Sequence, residues 1–215
     1  MSITMKPTKP QSGFSMIEVL VTMIIVVVGL LGVLGMQTKA TTTEFESYQR
    51  GQALALAREM QNRLLNARGD VTQYVTGSNR SSTDGSVFMG TGSTAFAQGT
   101  DCKNLTDALR NLCDWSEMLK GSAAVENGRG VGAMTDARGC LIRVEPAEGN
   151  ALADIYVAVV WRGVVQGSEP AANSPAGRCA SAIDYGTGLR RGLSVRVLIP
   201  DLKKDSTAGG PIFTE

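Results

Sequence analysis

Apolar residues are distributed unevenly along the chain, with one nearly unbroken run close to its start. From Phe14 to Met36 the only charged side chain is Glu18. As a helix rising about 1.5 Å per residue, this run would span the roughly 30 Å hydrocarbon core of a bilayer. It is apolar on all sides, which predicts a membrane-embedded helix.

A helical periodicity follows the apolar run. Between residues 44 and 68, apolar residues recur at steps of three to five, and most charged residues lie off this stripe. One helix is therefore predicted from Phe14 to Arg68, about 80 Å long, with Gly69 as its stop signal. Its second half is expected to pack on a globular head. The predicted stripe comprises Phe45, Tyr48, Ala53, Leu56, Met60, Leu64 and Ala67.

The head begins with a region of weak periodicity. Residues 76–101 are rich in Gly, Ser and Thr, which predicts a long surface loop holding one short strand around Val87 to Met89. A short amphipathic helix is predicted next, ending at Gly121. Its apolar face consists of Leu105, Leu109, Leu112, Trp115 and Leu119.

Three strand patterns follow the short helix. "GCLIRVEP" and "GLSVRVLIPDL" alternate in polarity, whereas "ADIYVAVVWRG" is apolar on both sides, as expected of a central strand. A three-stranded antiparallel meander packed against the long helix is the simplest arrangement of these elements. The predicted fold class is α+β.

Composition narrows the possible chemistry. The 215-residue chain has a formal net charge of +1 and 5% aromatic residues, so neither charge nor stacking side chains indicate a nucleic-acid partner. It contains no histidine, which excludes Ser-His-Asp and Cys-His catalysis and histidine metal sites. No residue spacing predicts an enzyme active site, a metal site or a cofactor. A carboxylate pair or a Ser-Lys pair stays possible.

Four cysteines, Cys102, Cys113, Cys140 and Cys179, all follow the apolar run. Zinc sites usually have closely spaced ligand pairs and no C-x-x-C occurs here, so two disulfides are favoured over a metal site. Disulfides indicate an oxidising compartment. The charged residues before the run are Lys6 and Lys9, which independently places the N-terminus in the cytoplasm and the remainder outside.

Spacing does not decide among the three possible cysteine pairings. The preferred one joins Cys140 to Cys179, which would attach the long loop between residues 163 and 191 to the first strand of the meander. It also joins Cys102 to Cys113, which would close a shorter loop before the sheet. Because 11 residues of continuous helix would separate these two by about 16 Å, this pairing requires Cys102 to lie outside the helix.

A short polar leader ends at Gly13, and the apolar run comes after it, the reverse of an ordinary secretory signal. "GFSMIEVLVTMII" resembles the class III leader junction of type IV pilins and type II secretion pseudopilins, with Gly13, Phe14 and Glu18 at the family positions. The resemblance implies cleavage by a prepilin peptidase between Gly13 and Phe14 and N-methylation of Phe14. It also implies a type IV pilin fold.

Glu18 has a physical interpretation within that resemblance. Cleavage would free the amine of Phe14 among packed apolar helices of a fibre, where an isolated charge is costly. Glu18 of one subunit could neutralise the Phe14 amine of a neighbour and so set the axial register. The alternative is an acid near the membrane edge that reaches toward headgroup water.

Within this superfamily the chain most resembles minor pilins of the PilV type, through its opening and "QALALAREMQNRLLNARGD", although Leu65 stands where a basic residue is common. This resemblance implies the division 1–13 leader, 14–36 membrane and fibre-core helix, 37–69 periplasmic half-helix and 70–215 disulfide-bonded head. It implies a single-pass inner-membrane protein with a periplasmic head that later enters the pilus at the cell surface.

The function implied by the resemblance is non-catalytic: priming of pilus assembly for twitching motility and adhesion. The implied partners are prepilin peptidase, other minor pilins, the major pilin, a tip adhesin and inner-membrane lipid. Two alternatives remain open. One is a minor pseudopilin of a type II secretion system. The other is a membrane-anchored periplasmic enzyme, which would need a cleft with paired acids.

Overall fold

A long N-terminal helix begins the fold and contributes residues to two compact units, Met1–Glu44 and Phe45–Glu215. The computed structural model describes residues 13–67, 71–75, 80–93, 95–97, 99–121, 125–126, 129–130, 134–144 and 151–200. The elements are α1 (Met16–Asn66), α2 (Thr72–Val75), β1 (Met89–Gly90), a 3-10 turn (Cys102–Asn104), α3 (Asp107–Leu119), β2 (Val125–Glu126), β3 (Arg129–Gly130), β4 (Arg138–Val144), β5 (Ala151–Arg162), α4 (Pro175–Arg178) and β6 (Arg190–Pro200).

Helix α1 has 51 residues and differs from the predicted span, Phe14 to Arg68, by two residues at each end. The proposed stop residue, Gly69, lies outside the described residues. Within the first unit, the apolar side chains of the helix are exposed all round. A helix with exposed apolar residues on every side needs an apolar environment, such as lipid or other helices.

The buried face of α1 differs from the predicted stripe. The prediction was wrong for Phe45 and Tyr48, which are 47% and 62% exposed. The step of five from Tyr48 to Ala53 joins two different faces of a helix, because residues on one face recur every three or four positions. Ala53, Met60 and Leu64 are buried as predicted, and Gln49 and Ala57 are buried in addition.

The head contains a four-stranded antiparallel sheet in the order β1-β4-β5-β6. The three predicted strands form its meander, with Leu141 opposite Val157 and Val157 opposite Val195. The fourth strand, β1, was expected around Val87 to Met89, but it covers only Met89–Gly90 and pairs with the start of β4. The predicted α+β class is confirmed.

One face of the sheet packs against α1 and α3. Buried residues of both helices share a core with Leu141, Ile155 and Val157. Trp115 of α3 is fully buried, and its indole N–H donates to the Leu56 carbonyl oxygen of α1 at 2.9 Å. The segment of α1 in the second unit is therefore part of the head.

A second core covers part of the other face of the sheet. It contains Ile142, Ala158 and Val160 from the strands, together with Ala176 from α4 and Tyr185 from the loop before β6. Because both faces of β5 are covered over much of its length, its residues are apolar on both sides, as predicted for a central strand.

Candidate functional site

The leader junction lies immediately before α1. Gly13, Phe14 and Ser15 have no regular secondary structure and are exposed. A Cβ placed on Gly13 would meet no other atom within 4 Å. Because a protease needs an extended, accessible backbone, the Gly13–Phe14 peptide bond has the local geometry of a cleavable site.

The start of α1 follows from its local sequence. The Ser15 carbonyl accepts hydrogen bonds from the N–H groups of Glu18 and Val19, at 3.1 and 3.4 Å, so Ser15 occupies the N-cap position. Ser15 and Glu18 also have the S-x-x-E spacing of a capping box. Sequence reasoning missed this second use of Glu18, although the spacing is visible in the chain.

Glu18 is exposed in the first turn of α1. Among the described residues, its carboxylate has neither an ion-pair nor a hydrogen-bond partner, so the capping box is not closed. The helix dipole favours an acid at this end. The described part of the chain therefore provides a favourable position for the Glu18 charge but places no cation beside it.

Helix α1 is long and apolar enough to cross a membrane, and no residue of its apolar segment is buried within the structure. Glu18 is the third residue of α1, which begins at Met16. This places Glu18 near one edge of the apolar segment.

The structure contains the disulfide Cys102–Cys113, with Cα atoms 5.6 Å apart. Cys102 lies in the 3-10 turn, before α3 begins, and Asp101 caps this turn by accepting from Lys103 N–H at 3.0 Å. The condition that Cys102 lie outside the helix is thus met, which allows the two sulfur atoms to approach.

The second disulfide joins Cys140 in β4 to Cys179, which follows α4. Both cysteines are fully buried. The Arg190 guanidinium donates to the carbonyl oxygens of Ala176 and Cys179, so it holds the loop at the same place. The two bridges are the pairs preferred from the sequence. Among the described residues, no three His, Cys, Asp or Glu side chains are grouped as metal ligands.

Beside this bridge lies an aromatic and cationic cluster that the sequence did not predict. The Arg138 guanidinium lies between the rings of Phe88 and Tyr185, 5.6 and 5.2 Å from their centroids, and donates to the Tyr185 hydroxyl at 3.0 Å. Burial raises the pKa of Tyr185, although the Arg138 hydrogen bond and charge act in the opposite direction. The cluster fixes the loop before β6 onto the sheet.

The head also has a surface cavity of about 340 Å³ that contains two acids, Glu169 and Asp184, beside Tyr185 and Arg190. Each acid is used by the local backbone: Glu169 accepts from Gly188 N–H, and Asp184 accepts from Gly186 N–H, both at 2.7 Å. These carboxylates stabilise turns of the loop before β6.

In comparison with known proteins, residues 8–34 fit the family model of the prokaryotic N-terminal methylation motif. No curated protein and no solved structure matches the chain. The matched region includes Gly13, Phe14 and Glu18 and the apolar start of α1. The chain therefore carries the class III leader of type IV pilins and pseudopilins, which supports its assignment as a precursor of one of these structural proteins.

Proposed function

We propose that this chain is a minor pilin of the type IV pilus that helps to prime pilus assembly. The observation that carries the proposal is the methylation motif at residues 8–34, in which Gly13, Phe14 and Glu18 stand in register before an apolar helix. The resemblance of the opening and of residues 52–70 to PilV-type minor pilins supports the more specific assignment. The protein has a structural role and is not an enzyme.

Prepilin peptidase removes the leader, residues 1–13, between Gly13 and Phe14. Removing these 13 of 215 residues leaves a mature chain of 202 residues that begins with N-methylated Phe14. The exposed, irregular backbone at this junction supports cleavage there. Residues 14–36 lie in the inner membrane and later in the fibre core, while residues 37–69 and the head, 70–215, lie in the periplasm.

Glu18 then pairs with the Phe14 amine of a neighbouring subunit. This role is supported by the absence of any cation beside the Glu18 carboxylate among the described residues of the single chain. At 4 Å, the attraction of two unit charges is about 4 kcal/mol at an effective dielectric constant near 20. An attraction of this size forms at only one axial offset between the helices of neighbouring subunits. It would therefore select the register of the helices.

The test is mass spectrometry of the chain isolated from inner-membrane and pilus fractions. The expected N-terminal peptide begins at Phe14 with one added methyl group. Gly13→Val is expected to retain the leader, whereas Ser15→Ala, two residues away, should still be cleaved. A functional chain that starts at Met1 would refute the proposal.

The type II secretion alternative uses the same leader, so it needs a different readout. Deletion of the chain is expected to reduce surface pili and twitching while leaving protein secretion intact. Two disulfides in the head and the PilV-like sequence of residues 52–70 support the pilus assignment. Loss of secretion with normal piliation would assign the chain to the secretion system instead.

A further inference from the structure

The two edges of the four-stranded sheet are built differently. At one edge, the outer side of β4 is covered by β1 and by Ser82, whose N–H donates to the Leu141 carbonyl and whose carbonyl accepts from Arg143 N–H, at 3.1 and 3.0 Å. At the other edge, β6 has β5 as its single strand neighbour in the part of the chain that the structure describes. No described segment covers this second edge.

The hydrogen-bond pattern identifies which peptide groups of β6 are open. Gly163 N–H donates to the Leu189 carbonyl at 2.7 Å, one position beyond the pair Arg162 and Arg190. Bonded and non-bonded pairs alternate along antiparallel strands, so odd-numbered residues of β6 bond to β5. Even-numbered residues direct their N–H and C=O groups outward. Between the two end residues of the strand, Arg190 and Pro200, these are Gly192, Ser194, Arg196 and Leu198.

No backbone hydrogen bond from another described residue reaches these four outward-facing positions. Their side chains leave the edge accessible as well: Ser194 and Arg196 are exposed, and Leu198 is 53% exposed. Open edges are usually protected by charged side chains, especially lysine, by proline or by a short strand. Strand β6 has 11 residues, no lysine and a single proline at its last position, Pro200. Its exposed charged side chain, Arg196, is ion-paired with Asp154.

The side chains beside the edge indicate what it would accept. On the face that packs against the helices, Leu193 and Val195 are only half-buried, so apolar residues of an added strand could extend this core. On the opposite face, Arg196 stands at the edge with its side chain 57% exposed. Alternating apolar and acidic residues would therefore complement β6.

Arg196 is held in a fixed position. Its Nε and Nη2 donate to the two carboxylate oxygens of Asp154 at 3.0 and 2.6 Å, and its guanidinium lies 5.9 Å from the Tyr156 ring centroid. Asp154 is bound through Nε and Nη2. The third nitrogen of the guanidinium, Nη1, has no hydrogen bond to a described residue, so its N–H groups can donate to a second carboxylate.

We propose that β6 accepts an extended strand from a different subunit of the assembly, with an acidic residue opposite Arg196. This inference rests on the proposed function, because it takes the partner to be another subunit of the same fibre or priming complex. Charge argues against a second copy of this chain as the partner. Strand β6 carries Arg190, Arg191 and Arg196 and no acid, so two copies would bring like charges together.

The first experiment compares amide hydrogen exchange in the full-length chain purified in detergent and in the chain within isolated fibres or the extracted minor-pilin complex. In the purified chain, the amides of Ser194, Arg196 and Leu198 should exchange faster than those of Val195 and Val197. In the assembly, the three outward amides should slow by about tenfold or more. Unchanged exchange in the assembly would overturn the proposal.

Two other results would also overturn it. Protection of the outward amides in the dilute purified chain would show that a segment of the same chain covers the edge. Protection that appears as the concentration of the purified chain rises would identify a second copy as the occupant.

The second experiment uses the variant pair Ser194→Pro and Ser194→Ala. Proline removes the outward N–H of Ser194 without removing a bond to β5, a position where edge strands tolerate proline. Ser194→Pro should be cleaved normally and keep its thermal stability, yet be depleted about tenfold or more from the assembly relative to Ser194→Ala. Equal incorporation of the two variants would show that the β6 edge does not bind a strand of another subunit. A wild-type chain that is neither cleaved nor assembled would instead reject the proposed function.

Discussion

At the scale of single residues, Glu18 shows how one side chain can satisfy a local rule and still lack a partner. Its position in the first turn of α1 suits an acid, and its spacing from Ser15 is that of a capping box. Neither feature provides a positive charge. Among the described residues no cation lies beside Glu18. The proposed pairing with the Phe14 amine of a neighbouring subunit is the basis of the first prediction.

Glu18→Gln should be cleaved normally but fail to assemble, because glutamine keeps the capping spacing and removes the charge. Loss of even 1.4 kcal/mol corresponds to about a tenfold loss of incorporation per interface. Quantitative immunoblots of membrane and pilus fractions provide the measurement. Glu18→Asp, which keeps the charge, is the matched control and should retain more incorporation. Normal piliation with Glu18→Gln would contradict the amine-pairing role.

Tyr185 supports a prediction about alkaline stability. Burial raises its pKa above the unfolded value of about 10, so in that range the unfolded chain loses the phenol proton before the folded chain does. The free energy of unfolding should therefore fall as the pH rises above about 10. Thermal unfolding followed from pH 8 to 11 provides the test.

The control for this pH dependence is Tyr185→Phe, which keeps the ring beside Arg138 and Arg190 but cannot ionise. Its melting temperature should decline less steeply across the same pH range. An identical decline in both proteins would mean that Tyr185 does not contribute to the alkaline loss of stability.

At the scale of secondary-structure elements, the contact between α3 and β4 depends on the absence of a side chain. A Cβ on Gly139 would lie 2.2 Å from Cη2 of Trp115 and 2.8 Å from Cδ1 of Leu119. The fully buried indole therefore occupies the space above the glycine. This close approach connects the disulfide-bonded α3 to the sheet.

Gly139→Ala should lower the free energy of unfolding by about 1–3 kcal/mol, because the buried helix must shift away from the strand. The matched control is Gly51→Ala, on the exposed side of α1, where an added Cβ meets no atom within 4 Å. That substitution should stabilise the protein by about 0.5–1 kcal/mol through helix propensity. Thermal denaturation of the full chain would measure both effects, and equal melting temperatures for the two variants would contradict the packing argument.

At the scale of the whole molecule, one disulfide of the head closes a short loop and the other closes a long loop. Cys102 and Cys113 are 11 positions apart, and Cys140 and Cys179 are 39 apart. Loop-closure entropy grows with the length of the closed segment, so the longer loop gains more from its bridge. The longer bridge also ties α4 to the sheet.

Replacing Cys140 and Cys179 together with alanine should cost about 4 kcal/mol, against about 3 kcal/mol for the pair Cys102 and Cys113, if loop-closure entropy dominates. Denaturant unfolding of the two double variants gives the comparison. Peptide mapping without reductant should recover both bridges from the natural protein. Free thiols there would contradict both the pairing and the oxidising compartment.

Much of the architecture followed from local patterns. The apolar run, the 3.6-residue periodicity beyond it and the three strand patterns depend on residue type and period alone, and they correspond to α1, β4, β5 and β6. The leader junction also depends on a few neighbouring residues, which is why Gly13, Phe14 and Glu18 were recognisable before any fold was known.

The tertiary structure decided what depends on residues distant in the chain. It determined that Gln49 and Ala57 are buried while Phe45 and Tyr48 are exposed, because the neighbouring elements select the packed face of α1. It brought Arg138 between Phe88 and Tyr185, residues with no shared motif. It also gave β6 a single strand neighbour, β5, among the described residues. Local sequence fixes the elements, whereas burial and strand neighbours arise only when distant segments meet.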